Sequence, residues 1–162
     1  MARKQSDPSM GTIGLAAVAG IRSMMSPALL SRAASRGEIE GIERTPFGFL
    51  ASPRVATWLT VLAVGELFAD KLPFAPDRTS VPSLAGRLAT GALVGAALFS
   101  AKGRRGATGG VLGALSSLAT SYLSFYARAG AQQGLGLPNP VDGLLEDAFA
   151  LGIGLRSLRS AK

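Results

Sequence analysis

A chain of 162 residues, 48% of them apolar, with a mean hydropathy of +0.32, is long enough for one domain and sits at the membrane edge of the soluble range. It has no cysteine and no histidine, which excludes disulfides, thiolate or imidazole metal sites, Cys and His nucleophiles and the usual near-neutral general base; no enzyme, metal or cofactor is expected. The net charge of +7 would suit nucleic acid only as a basic stripe on one face, and the cations instead fall in the gaps between apolar runs, as membrane-flanking charge does.

Five apolar segments follow one another between a short tail (1–9) and a second tail (157–162), against the roughly 20 residues that cross a bilayer core. The first, 10–34, contains Arg22 and is broken by Ser26-Pro27, because Pro27 has no N–H for the carbonyl four residues back. Arg3 and Lys4 before "AVAG" have elements of a secretory signal, but the apolar stretch between is short and interrupted by Gly and Thr, so it reads as the start of this segment. A gap with Arg32, Arg36, Arg44 and Arg54 leads to the second segment, 55–72, which opens on Ser52-Pro53, a capping side chain before a first-turn proline. It carries Glu66, Asp70 and Lys71, and Pro73 and Pro76 end it.

The third segment, 84–101, starts near Pro82 and contains Arg87; Lys102, Arg104 and Arg105 follow it. The fourth, 106–127, runs 22 residues without a charge and ends with Tyr122, Phe125 and Tyr126, where an aromatic belt would lie. The fifth, 141–156, begins after Asn139-Pro140, holds Glu146 and Asp147, and is followed by Arg156, Arg159 and Lys162. Small residues recur four apart at Ala16 and Gly20, Gly91 and Gly95, Gly106 and Gly110, and Gly109 and Gly113, a spacing that lets membrane helices approach closely.

The strings "GIRSMMSPALLSRA" (20–33), "VGELFADKLPFAPDR" (64–78), "GRLATGALVGAAL" (86–98) and "LLEDAFALG" (144–152) together resemble the domain of unknown function 4126 family, small integral membrane proteins found mainly in bacteria. The Gly-Glu-x-x-x-Asp-Lys-x-Pro string is the specific part, and the resemblance runs from about Gly11 to Gly154. It implies a multi-span membrane protein and supplies no activity.

The expected architecture is therefore an all-α polytopic transmembrane bundle of about five spans, at least one of them broken, in a single domain over 10–156. Glu66 and Asp70 share a helix face, while Lys71 is turned about a further 100° and can snorkel to headgroups. An ionised acid at mid-span costs roughly 2.5–3.5 kcal/mol, so partners are expected: Glu66 or Glu146 with Arg22, and Asp70 with Arg87. Arg22, Glu66, Asp70, Arg87 and Glu146 form the candidate substrate or ion site, suited to a transporter or channel for a polar or anionic solute or protons. The alternative is that these pairs only set helix register, in a structural or assembly subunit docking onto another membrane complex. A membrane enzyme with Asp70 as base and Arg78 as phosphate clamp, and a soluble helical domain, fit the pattern less well.

"VGELFAD" (64–70) and "LLEDAFA" (144–150) align Glu66 with Glu146, which would make segments one and two an inverted repeat of segments four and five. With five spans, the excess of Lys and Arg puts the C-terminus in the cytoplasm and the N-terminus outside. The expected setting is the inner, cytoplasmic membrane, crossed several times. The expected partners are the lipid bilayer and a second copy or another membrane protein, with no nucleic acid.

Overall fold

Proline placement and small-residue spacing account for most of the helix boundaries. The computed structural model describes residues 8–69, 80–135 and 139–161, and among these the backbone forms six α-helices and no strand. They are α1 (Pro8–Ile21), α2 (Met25–Ser35), α3 (Pro53–Ala69), α4 (Val81–Ala101), α5 (Gly106–Leu135) and α6 (Asn139–Ala161), with two short 3₁₀ turns, Ile42–Arg44 and Gly48–Ala51, between α2 and α3. The all-helical expectation holds for these residues.

The break in the first segment is real but lies at residues 22–24, just before Ser26-Pro27. Pro27 falls in the first turn of α2, where its missing N–H would have had no intrahelical partner anyway. The break is also a reversal. In a continuous helix Leu15 and Ser26 would stand about 16 Å apart along the axis, yet the Ser26 hydroxyl donates to the Leu15 carbonyl at 2.6 Å. Leu15, Leu30, Ala33 and Ala34 join one core cluster with Leu158 and Ala161. α1 and α2 are thus two arms of a helical hairpin, not two halves of one kinked rod.

This reversal decides which ends of the helices lie together. A Cβ on Gly11, near the start of α1, would strike the backbone of Ala161, at the end of α6, and Gly41, beyond α2, backs onto the carbonyl of Ala101, at the end of α4. Gly41 holds φ +81°, a left-handed conformation that suits glycine, at a point where there is no room for a side chain. The start of α1, the end of α2, the 36–52 connection, the α4–α5 turn and the end of α6 therefore share one pole. It carries Arg32, Arg36, Arg44, Arg54, Lys102, Arg104, Arg105, Arg156 and Arg159, and we call it the basic pole. The expectation of chain ends at opposite poles is corrected: the hairpin returns the chain to the pole at which α1 begins.

α1 is the central helix, packed by α4, α5 and α6, and α3 lies along α2 at the periphery. Among the described residues α5 and α6 make few contacts with each other. α4 and α5 form the most extensive contact, through the small-residue spacing seen in the sequence. Gly109, Gly113, Ser117 and Ser121 make one buried stripe on α5 facing Arg87, Gly91 and Gly95 of α4. A Cβ on Gly95 would strike the carbonyl of Gly109, and one on Gly113 the carbonyl of Gly91. Residues 157–161, expected as a tail, continue α6, with Leu158 and Ala161 in the core.

Among the described residues one helix, Val81–Ala101, is by itself long and apolar enough to cross a membrane; Met10–Ile21 is apolar but shorter. The five separate spans expected reduce on this measure to one. Serine, threonine and glycine dilute α5, charges interrupt α6, and α3 spans 17 described residues. Large apolar side chains nevertheless crowd the outer surface, with Trp58, Phe68, Leu123, Tyr126 and Phe149 each about two-thirds exposed.

Candidate functional site

A helix break leaves carbonyls without partners on one side and N–H groups on the other. Here residues 22–24 put both sets in the interior, where each must find a partner or carry the full cost of desolvation. Four surrounding helices supply those partners.

The end of α1 is negative in the sense of the helix dipole, and it meets a cation. Arg87 of α4, 4% exposed, donates from Nη1 to the Gly20 carbonyl at 2.7 Å. The Ser121 hydroxyl of α5 lies 3.1 Å from the same carbonyl, and the Thr120 hydroxyl lies 2.7 Å from the Ala17 carbonyl. α4 and α5 are tied together beside this point by the Ser117 hydroxyl, which donates to the Arg87 carbonyl at 2.8 Å.

The start of α2 is positive, and it meets an anion. Glu66 of α3 accepts from the Ser23 N–H (2.8 Å) and hydroxyl (2.9 Å) on Oε1 and from the Met24 N–H (2.8 Å) on Oε2. The remaining break residue, Arg22, is 2% exposed and donates from Nε to Oδ1 of Asp147 on α6 at 2.6 Å. Arg22, Ser23 and Met24 are consecutive, and acids from two different helices hold them.

Arg87, Ser121, Asp147 and Glu66 each sit about four turns, ~20 Å, from the end of their own helix at the basic pole. α3 to α6 thus deliver one polar group each to a common level at the hairpin tip. Arg22, Glu66 and Arg87 lie at this level, with Arg22 on Asp147, while the expected Asp70–Arg87 pair falls outside the described residues. Glu66 takes backbone N–H groups, and Arg87 takes a carbonyl at the end of α1.

Asp70, the fourth expected member, and Lys71 lie outside the described residues. On α6, Asp147 bonds Arg22, and its neighbour Glu146, the fifth, lines a cavity of about 230 Å³ between α5 and α6 with Ile21, Thr120, Ser124 and Phe149. Glu146 has a polar or electrostatic interaction of its own.

The position of Asp147 follows from the seating of α6. Ala150, Gly154, Ser157, Leu158 and Ala161 form the buried face of α6, and stepping back three residues from Ala150 gives Asp147. Ser23, Ser117, Thr120 and Ser121 were missed because a hydroxyl in an apolar run reads equally well as a bond to its own helix.

Replacing Glu66 by Gln keeps the shape but removes the charge and turns one acceptor into a donor facing an N–H. We expect this to cost about 2 kcal/mol, within the range for hydrogen bonds to a charged group. Denaturant unfolding of E66Q beside E66D in detergent, followed by circular dichroism, measures it; equal stability of E66Q and the parent chain would refute the capping role.

The family described as domain of unknown function (DUF4126) has a model that matches residues 10–159, and the chain belongs to that family. No curated protein and no solved structure matches it.

Proposed function

We propose that this member of the domain of unknown function 4126 family is a polytopic membrane protein that moves a small polar or anionic solute, or protons, past the polar hub at the α1–α2 tip. In this reading α3, α4, α5 and α6 span the bilayer and the α1–α2 hairpin enters from the basic pole and returns to it. The single observation that carries the proposal is a broken helix whose two ends, ~20 Å from that pole, are each met by a charge from another helix. Non-helical backbone is tolerated at membrane depth only when protein or a wet cavity covers it, and discontinuous helices of this kind recur at solute and ion sites.

Two further features support the bilayer as the solvent. The exposed apolar side chains of α3, α5 and α6 would be a liability in water and suit contact with acyl chains. Several of the hydroxyls that dilute the hydropathy of α5 are engaged inside the protein: Ser116 with the Leu112 carbonyl, Ser117 with that of Arg87, and Thr120 with that of Ala17. Scales that count each residue as isolated charge α5 for desolvation that these bonds offset. The basic pole then faces the cytoplasm by the positive-inside rule, with the start of α1 and the end of α6 on that side.

The hub is closed in this arrangement, with Glu66 filling the anion position at the start of α2. Passage requires Glu66 to leave the Ser23 and Met24 N–H groups, by protonation or by displacement with an anion that takes the same donors. No covalent step is involved, and we read the protein as a non-enzyme.

The test is flux into liposomes holding the purified chain, with chloride, phosphate and acetate gradients and a trapped pH dye. Wild type should exceed protein-free vesicles for one of these ions, and E66Q, whose neutral side chain is held less firmly by the Ser23 and Met24 N–H groups, should raise that excess. A properly inserted wild type with no flux for any of them would overturn the transport reading. A structural role is favoured by the unpartnered apolar side of α3, where only Ala56 is buried. Recovery of a stoichiometric membrane partner in mild detergent, with no flux, would select it.

A further inference from the structure

At the basic pole, outside the hub, the end of α2 and the end of α6 enclose a cavity of about 370 Å³ that the transport reading does not use. Three guanidinium groups line it: Arg32, Arg36 and Arg159. Arg32 uses one of its five N–H groups on the Thr60 hydroxyl at 3.1 Å, and neither Arg36 nor Arg159 forms an ion pair among the described residues. Glu38 is the one acid in the lining and already has an interaction of its own. Three cations against one carboxylate leave a net charge of +2 in a small concavity.

The floor is apolar. Leu29 and Leu155 lie beneath the guanidinium groups, and Leu155 is 47% exposed. Leu151, one turn further from the basic pole on the same side of α6, is also exposed, at 44%. An exposed apolar strip, Leu155 then Leu151, thus continues from the cation-lined cavity along α6 toward the hub, and cavity and strip together form a groove polar at one end and apolar at the other.

We infer that this groove binds one anionic phospholipid, its phosphate held by Arg32, Arg36 and Arg159 and an acyl chain lying along Leu155 and Leu151. A free phosphate would use the guanidinium fork and leave the leucines without a role. A soluble acidic partner would not account for an apolar track running toward the centre of the bundle. Basic pockets between helices at the cytoplasmic surface have the chemistry that retains acidic headgroups. The inference rests on the membrane reading, and it does not depend on transport.

The experiment is native mass spectrometry of the full chain in mild detergent after delipidation, titrated with phosphatidylglycerol, phosphatidylcholine and inorganic phosphate. Phosphatidylglycerol should be retained roughly 30-fold better than phosphatidylcholine, from the two net positive charges at the headgroup. R36Q/R159Q should bring the two lipids within about 2-fold of each other. R54Q/R105Q, which removes the same charge from this pole outside the cavity, should keep the preference. Equal retention of the two lipids by the parent chain, or equal losses in the two double variants, would overturn the site. Full competition by millimolar inorganic phosphate would assign it to a soluble anion instead. A chain that stays in the aqueous phase without detergent fails the membrane reading itself, and that is seen before any lipid is added.

Discussion

Asp147→Ala should cost about 3 kcal/mol of stability, a loss of roughly 100-fold in the folded-to-unfolded ratio, because it leaves the Arg22 guanidinium buried without its carboxylate. Removing one member of a buried pair costs about 3–5 kcal/mol, and the lower end applies here since Arg22 retains another polar or electrostatic interaction. The neighbouring Glu146→Ala, at a partly exposed acid, should cost less than Asp147→Ala. Replacing both partners, as R22M/D147L, should recover at least half of the single-variant loss, since an apolar pair of similar volume avoids the stranded charge. Denaturant titration in micelles gives all three values. A D147A chain as stable as the parent would show that the ion pair does not hold the break. If the double variant is stable and the ion flux is gone, the pair serves passage more than folding.

The second large effect is steric. Gly95→Val places three carbon atoms where α4 and α5 touch backbone to backbone, against the Gly109 carbonyl. Overpacking a full core costs about 1–3 kcal/mol when side chains can shift, and here the obstacle is main chain, so we expect 3 kcal/mol or more. The loss should spread to the hub, because the same α5 stripe carries Ser117 and Ser121 to Arg87 and Gly20. Gly152→Ala is the control: nothing lies within 4 Å of the added methyl, and alanine should stabilise α6 by about 0.5–1 kcal/mol. Thermal unfolding of both variants in one detergent decides it. G95V and G152A shifting alike would mean that close approach of α4 and α5 is unimportant.

The two experiments probe different terms at one place. The Arg22–Asp147 pair, the Glu66 cap and the Arg87 contact answer the electrostatic need of a broken helix. The glycine contact brings α4 and α5 near enough for a serine hydroxyl, only one heavy atom beyond its Cβ, to reach across. Without the second, the first loses part of its support.

Much of this was legible from composition and spacing. The proline positions marked the break and the openings of α3, α4 and α6, because proline removes a donor wherever it stands. The four-residue recurrence of glycine marked the α4–α5 contact, because a helix returns to the same face in that interval. The ionisable residues inside apolar runs marked the hub, because a charge there needs a partner. All three are local rules, in which one residue constrains only a few neighbours.

Pairing and direction could not be settled that way. That Asp147 meets Arg22 depends on the rotation of α6 about its axis, set by how Ala150, Gly154 and Ala161 seat against α1 and α2. Whether residues 22–24 kink the chain or reverse it depends on Ser26 finding the Leu15 carbonyl and on Glu66 arriving from α3 to cover the exposed N–H groups. The sequence by itself determined which residues cannot stand alone in an apolar interior, since that cost belongs to each side chain. Only the tertiary structure decided which groups meet that need, since a partner 43 or 125 residues away is chosen by the packing of whole helices.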